Sequence, residues 1–260
     1  MAKKNRLWNE LAIACWRALG YYPTRLEGAP LRADPEDWRF WRKLASGRWE
    51  PHTFRILGRF LRPDSVFLDV GAWIGPTALY AARRCARVYA FEPDPYAYER
   101  LLRNLRLNRI TNVQPLHAAL APEDGVLRIG SPRGLGKSVS SALHGAGAHA
   151  VVVPALSPQR FLREWDIRRV DLVKIDIEGG EFALLPALVG FLGEYRPTLY
   201  LSLHAPYLAA GARRESLERV AEVLGVFPRL YDQALRPIAP TELSGPGFTE
   251  RFAEVVAAWE

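Results

Sequence analysis

The sequence predicts an α/β fold, a doubly wound and mainly parallel sheet preceded by a helical N-terminal extension. Three observations carry that expectation. An apolar strand, Val66-Phe-Leu-Asp-Val70, runs into a glycine-spaced turn, Gly71-Ala-Trp-Ile-Gly75, and a helix follows. A second apolar strand, Val88-Tyr-Ala-Phe91, ends on a single acidic residue, Glu92, and Pro93 then stops the ladder. Apolar runs and amphipathic stretches alternate from there to residue 203, the rhythm of repeated βα units.

Residues 1–60 read as a tryptophan-rich helical extension, broken at Tyr22-Pro23, Gly28-Ala-Pro30 and Asp34-Pro35. Its first helix gathers Trp8, Leu11, Ala12, Cys15, Trp16 and Leu19 on one face. Glu10 and Arg17 interrupt the apolar run, which argues against a signal peptide. Such a helix caps the domain or, in the other reading, makes a peripheral membrane contact. The Trp38-Arg-Phe-Trp41 cluster reads as core, with stacking on a sugar as its alternative.

The α/β domain then occupies 61–260. It opens with a strand at 66–70, a helix at about 75–84 and a strand at 87–91. A helix at 95–107, with Pro95 in its first turn, leads to a strand at 113–117. Residues 121–156 are rich in Gly, Ser, Ala and Pro, with short β-prone pieces at 126–129 and 150–153. They read as an insertion or flap, since loops of that length in a compact domain are usually functional. A helix at 157–165, a strand at 170–175, a helix at 180–189 and a strand at 198–203 restore the rhythm. A helix at about 216–224 precedes β-prone pieces at 229–231 and 252–256, which would close the sheet as an antiparallel hairpin.

Composition bounds the function. A hydrophobic content of 49% against 24% charged residues marks a globular chain, and 260 residues suit one α/β domain with appendages. Cys15 and Cys85 form neither a disulfide framework nor a metal spacing, so the expected location is cytoplasmic. No apolar run approaches the roughly 20 residues of a membrane span. The net charge of +7 is dispersed arginine with no lysine-rich arm, so no nucleic-acid partner is expected.

In a parallel sheet, ligands bind at the carboxyl ends of the strands. Those ends offer Asp69, Gly71 and Gly75; Glu92; His117 and Ala118; Lys174, Asp176, Glu178 and Glu181; and Ser202 and His204. The Gly71-x-x-x-Gly75 turn, with Ala72 and Trp73 inside it, lacks the spacing of a dinucleotide cradle. It has room for a nucleoside but holds phosphate poorly, so S-adenosylmethionine fits better than NAD or ATP. Glu92 then suits the ribose hydroxyls. Alternation turns Lys174, Asp176 and Glu178 to one side of their strand. They could receive the methionine ammonium, a substrate hydroxyl or a divalent cation. Glu181 belongs to that set or is a first-turn charge on the next helix. His204 is the candidate general base, because imidazole ordinarily titrates near neutrality. Gly134-Leu-Gly-Lys-Ser138 follows no buried strand and is not a P-loop. Lys137 to Ala142 reads instead as a hydroxyl-rich substrate loop.

Four blocks together resemble the FkbM-type methyltransferases: Asp69-Val-Gly-Ala-Trp-Ile-Gly75, Ala90-Phe-Glu-Pro-Asp-Pro95, Leu105-Arg-Leu-Asn108, and Val170-Asp-Leu-Val-Lys-Ile-Asp-Ile-Glu-Gly179 with Glu181. The resemblance spans about 50–205 and implies a Rossmann-like class I methyltransferase with a seven-stranded sheet. It also implies methylation of oxygen, often a sugar hydroxyl in a glycolipid, polysaccharide or natural product. By position the cofactor set is Asp69, Gly71, Ala72, Trp73, Gly75, Glu92, Pro93, His117 and Ala118. Asp176, Glu178 and His204 would face the transferred methyl. A divalent metal is compatible with these acids but is not predicted. The family usually carries asparagine at the position of Trp73, and often glutamate at that of Ser202. The expectation is an O-methyltransferase acting on a small-molecule or glycan acceptor. An RNA methyltransferase and a non-catalytic scaffold are the alternatives.

Overall fold

The apolar runs of the α/β region become strands of one sheet in a computed structural model, which describes residues 2–132, 134–138, 140–145 and 149–260. The extension contributes α1 (Ala2–Leu19), β1 (Tyr22–Leu26), β2 (Ala29–Ala33), α2 (Trp38–Ala45) and α3 (Pro51–Phe60). Then follow β3 (Val66–Val70), α4 (Pro76–Ala81), β4 (Arg87–Phe91), α5 (Pro95–Leu107) and β5 (Val113–Leu116). The inserted stretch holds β6 (Ala119–Leu120), β7 (Gly125–Ile129) and β8 (Val151–Leu156). The remainder comprises α6 (Pro158–Glu164), β9 (Leu172–Ile175), α7 (Glu181–Ala187), α8 (Val189–Tyr195), β10 (Thr198–Leu203), α9 (Arg213–Leu224), β11 (Arg229–Asp232), α10 (Pro246–Thr249) and β12 (Ala253–Ala258).

Seven strands form one sheet in the order β11-β12-β10-β9-β3-β4-β5, and β12 runs antiparallel to both neighbours. The chain moves outward in one direction from β3 and in the other from β9. That places a topological switch, the usual ligand crevice, between these two strands. The C-terminal hairpin closes the sheet as the sequence predicts.

Each face of the sheet buries its own core. Val70, Phe91, Val173, Ile175 and Leu201 pack beneath α6 to α9. Phe67, Val88, Ala90, Leu172, Tyr200 and Val256 pack against Trp41, Phe54, Leu57 and Leu79 on the other side. The two-residue period of a strand settles where the polar groups go. Asp69 shares the face of Phe67, Glu92 that of Ala90, and Lys174 that of Leu172. Ser202 follows Tyr200 and Glu254 precedes Val256 in the same way. The chemistry therefore gathers on the face that the extension covers.

Two elements differ from expectation. The breaks at Tyr22-Pro23 and Gly28-Ala-Pro30 belong to a β-hairpin, so the extension is helical only over α1, α2 and α3. Leu26 pairs with Ala29 across a two-residue turn in which Glu27 (φ 47°) and Gly28 (φ 78°) are both left-handed, the geometry that matches strand twist. The helix expected at 180–189 is α7, and the chain turns at Leu188, past Pro186, into a further helix, α8, that the sequence does not predict. The flap is a small sheet, β6-β8-β7, with β7 and β8 antiparallel.

The extension is tied down by specific contacts. Buried Asn104 donates to the Ile74 carbonyl (2.9 Å) and accepts from the Asp34 N–H (2.8 Å), joining the extension to the glycine turn. Trp16 packs on Tyr22 and Trp38, which docks α1, while Leu11 and Leu19 face solvent. Of the apolar face expected on α1, the Trp8 side chain lies outside the described residues. Among those described, no helix is long and apolar enough to cross a membrane. Trp38 and Trp41 are core residues.

Candidate active site

The glycine turn is shaped by what lies against it. The Gly71 and Ala72 N–H groups donate to the Phe91 carbonyl at 3.0 and 2.9 Å. Gly71 has φ 88°, and a Cβ there would meet the Asp176 carbonyl oxygen at 1.9 Å. Only glycine lets the β3 and β9 ends approach this closely. Trp73 is also left-handed (φ 49°), and its N–H donates to Glu92 Oε2 at 2.7 Å. Its indole N–H donates to the Gly136 carbonyl (3.1 Å), and its ring rests edge-on against Phe40. The buried Glu92 carboxylate also receives the Asp94 N–H at 2.8 Å. Burial pushes its pKa up to about 8.

Two cavities share Gly71, Trp73, Ser138, Asp176 and Glu178 as walls. One, about 130 Å³, is walled by Glu92, Pro93, Ala119 to Pro122 and the flap serines Ser140 and Ser141. The other, about 340 Å³, opens between Trp49, Glu50, Thr77, Lys174, His204 and Glu254. Asp94 fastens the flap over them. Its Oδ2 accepts from the Gly136 N–H and the Ser140 hydroxyl, both at 2.6 Å, while Oδ1 caps α5. Of the hydroxyl-rich loop, Val139 lies outside the described residues. A larger cavity, about 640 Å³, sits among Arg59, Arg62, Arg169 and Arg229 where the strands begin, and holds none of the predicted site residues.

The acidic turn after β9 is a coupled network. Lys174 Nζ lies 3.1 Å from Asp176 Oδ2 and 3.9 Å from Asp69 Oδ1. Burial opposes its charge, yet Asp176, Asp69 and Glu50 hold its pKa above the usual lysine range. Burial would likewise raise Asp176, but Lys174 and His204 keep it below the carboxylate norm. Glu178 adopts φ 54°, a strained conformation of the kind that concentrates at functional sites. Its carboxyl is pushed by burial up to about 7.

Glu181 organises the turn from beneath. Wholly buried, it accepts the Gly179 N–H at 2.8 Å and the His204 N–H at 2.7 Å. Its Oε1 also lies 3.2 Å from His204 Nδ1. It is therefore both the first residue of α7 and the orienting partner of His204. The His204 Nε2 then sits 3.6 Å from Asp176 Oδ1 and 3.5 Å from Glu178 Oε2. Burial alone would lower the His204 pKa, but the Glu181 bond and the three carboxylates push it up to about 9. The Glu181 bond and the neighbouring carboxylates favour the charged form of the imidazole. One ligand atom each from Asp176, Glu178 and His204 lies within 4.8 Å of the others, so this trio could also hold a divalent cation.

These shifts fix how stability depends on pH. Glu50 and Glu178 (each about 7), Glu92 (about 8) and His204 (about 9) all bind protons more tightly when folded. Their contribution is complete below the unfolded pKa values, about 4.3 for Glu and 6.5 for His, and is lost as pH rises through 7 to 9. The melting temperature of the ligand-free protein should fall by a few degrees between pH 5 and pH 9. A flat or rising melting profile across that range would contradict these shifts.

The structure brings Gly71, Ala72, Trp73, Glu92, Pro93, Asp176, Glu178 and His204 together around the two cavities. Asp69 and Gly75 are buried behind the walls, where Asp69 accepts from Thr77 (2.6 Å) and Gly75 starts α4. His117 and Ala118 do not join them. The His117 ring stacks on Tyr98 at an exposed position, and Ala118 faces the core beneath α6 to α9. The chain bends after β5, so Ala119 to Ala121 supply that wall instead. Sequence reasoning did not reach Glu50, Trp49, Asp94, Tyr207, Phe252 or Glu254. Only the short distance of Asp94 from Glu92 could have signalled one of them.

Comparison with known proteins gives a consistent family. A model described as the methyltransferase FkbM domain matches residues 69–225. The hexuronic acid methyltransferase AglP of Haloferax volcanii is 27% identical over 145 residues, covering 56% of this chain and 59% of that protein. The methyltransferase sdnD of Sordaria araneosa is 31% identical over 157 residues, covering 47% of this chain and 60% of that protein. The chain thus spans about three fifths of the length of these curated relatives. Among solved structures, a methyltransferase FkbM from Methylobacillus flagellatus aligns over 75% of this chain and 44% of its own. The identity is 16% and the TM-score 0.49.

Proposed function

This chain belongs to the FkbM methyltransferase family, and we propose that it transfers a methyl group from S-adenosylmethionine to a hydroxyl of a sugar or sugar-like natural product. One observation carries the reading. A crevice with a buried carboxyl at its rim shares the walls Gly71, Trp73, Asp176 and Glu178 with a second cavity that also holds His204. A sugar acceptor is in keeping with the name of the relative AglP.

The residues present fit the cofactor. Gly71 lets the turn lie tight against the β9 end, and Glu92 has the lone pairs for a ribose diol beyond those given to Trp73 and Asp94. Gly71, Ala72 and Trp73 would hold the methionine portion, while Pro93, Ala119 and the flap serines enclose the adenosine. When bound, S-adenosylmethionine supplies a methyl group activated by its sulfonium.

The chain supplies alignment, desolvation and proton removal. Glu178 takes the acceptor hydroxyl proton, because it lines the cavity beside His204 and burial raises its pKa to about 7. His204, kept charged and oriented by Glu181, stabilises negative charge as it develops on the acceptor oxygen. Asp176 holds the imidazolium from the other side and anchors Lys174. A cation seated by Asp176, Glu178 and His204 would displace the His204 proton, so sensitivity of activity to a chelator would reassign that trio.

Calorimetric titration with S-adenosylmethionine and S-adenosylhomocysteine tests the cofactor. Micromolar binding is expected, weakened by about tenfold or more in Glu92→Ala, the scale of a lost charge-assisted hydrogen bond. Silence from the wild-type protein would defeat the proposal.

A further inference from the structure

We infer that the acceptor is a hydroxyl-bearing protonated amine, such as an amino sugar, whose ammonium group is received by Glu50 and Glu254. The inference rests on the methyltransferase reading and names the substrate class of the same cavity.

Position comes first. Glu254 pairs with Ser202 across the antiparallel β10–β12 ladder, so the two side chains share one face. Strand β12 lies three strands from β3, roughly 14 Å at the usual spacing, well past the glycine turn. Glu50 enters as the N-cap of α3, where its side chain makes no capping bond. Both glutamates line the 340 Å³ cavity, and both lie outside residues 69–225.

Charge comes second. The cavity walls carry Glu50, Asp176, Glu178 and Glu254 against only Lys174 and His204. Lys174 is committed to Asp176 and Asp69, and His204 to Glu181 and its neighbours. No cation among the described lining residues is left for an acidic acceptor. A uronate carboxylate would enter a site already rich in its own charge, whereas an ammonium would find in Glu50 and Glu254 two carboxyl groups with no cation at ion-pair distance among the described residues.

Hydrogen-bonding capacity agrees. Glu50 Oε2 accepts from Thr53 Oγ1 (3.2 Å), and the Thr53 and Tyr200 hydroxyls are 2.8 Å apart, so both hydroxyl protons are committed within this chain. Glu254 Oε2 is buried and has no partner. An ammonium brings three donors. Trp49, Tyr207 and Phe252 add aromatic surface to the same walls, which suits both a cation and the apolar face of a sugar ring.

The test is calorimetric titration of the full chain with D-glucosamine, N-acetyl-D-glucosamine and D-glucuronate, each with and without S-adenosylhomocysteine. Glucosamine should bind at least about tenfold more tightly than the other two, an ordinary value for one buried charge-assisted contact. The isosteric Glu254→Gln should erase that preference and leave the affinity for S-adenosylhomocysteine unchanged within about twofold. Equal or reversed preference, or no binding by any of the three sugars, would overturn the inference. So would a matching loss of S-adenosylhomocysteine affinity in Glu254→Gln, which would assign the carboxylates to the methionine ammonium. If S-adenosylhomocysteine fails to bind the wild type while glucosamine binds, the methyltransferase reading fails and the amine site stands.

Discussion

Lys174→Met should cost the protein about 3–5 kcal/mol of folding stability, the range found when one member of a buried ion network is removed. Lys174 is 3% exposed and is the only basic side chain within ion-pair distance of Asp69 among the described residues. Asp69 is fully buried, accepts one bond from Thr77, and has no hydrogen-bond partner at Oδ1. Methionine fills similar volume but leaves that carboxylate without compensating charge. Burial already raises the Asp69 pKa, so in the variant it would be protonated further and part of the loss recovered at low pH. Urea unfolding should therefore show a lower midpoint at pH 7 with the difference narrowing toward pH 4. The double variant Lys174→Met/Asp69→Asn should regain much of the stability. If the single variant is as stable as the wild type, the ammonium is not what lets this strand edge carry acids.

The distinction between what the sequence reveals and what it hides follows physical range. Strands β3, β4, β9 and β10 are legible because each is an apolar run bounded by a turn, and their ends therefore place Glu92, Asp176, Glu178 and His204 correctly. Glu181 was ambiguous, since a first-turn acid and a histidine partner look alike until the β10 backbone is beside it. Glu50 and Glu254 were invisible for a stronger reason. Nothing local distinguishes them from surface glutamates; they acquire meaning only when α3 and β12 fold against the sheet.

The two departures from the family pattern become intelligible in the same way. Where the resemblance leads one to expect glutamate at Ser202, the residue directly across the ladder is Glu254. A carboxylate is supplied to the same face from the neighbouring strand. Trp73 occupies a left-handed conformation that asparagine takes more readily than tryptophan. Its indole bond to Gly136 and its contact with Phe40 offset the strain and fasten the turn to the flap. The tryptophan is a wall of both cavities and leaves them open.

Glu178→Gln should lower kcat by about 10²- to 10⁴-fold, the usual contribution of a positioned general base, with cofactor affinity preserved. In the wild type kcat/KM should rise with pH through about 7 as Glu178 loses its proton, and fall near 9 as His204 loses its own. These limbs belong to the coupled pair, since the two groups lie 3.5 Å apart. Their response to substitution separates the roles. In Glu178→Gln the limb near 7 should disappear. Glu181→Gln should instead move the upper limb to lower pH, because the amide neither carries the charge nor makes the charged bond that holds the imidazolium. A purely structural Glu181 would lower activity uniformly and leave that limb in place. A Glu178→Gln enzyme that retains both limbs would move the proton-accepting role to Asp176, the other cavity-lining carboxylate beside His204 Nε2.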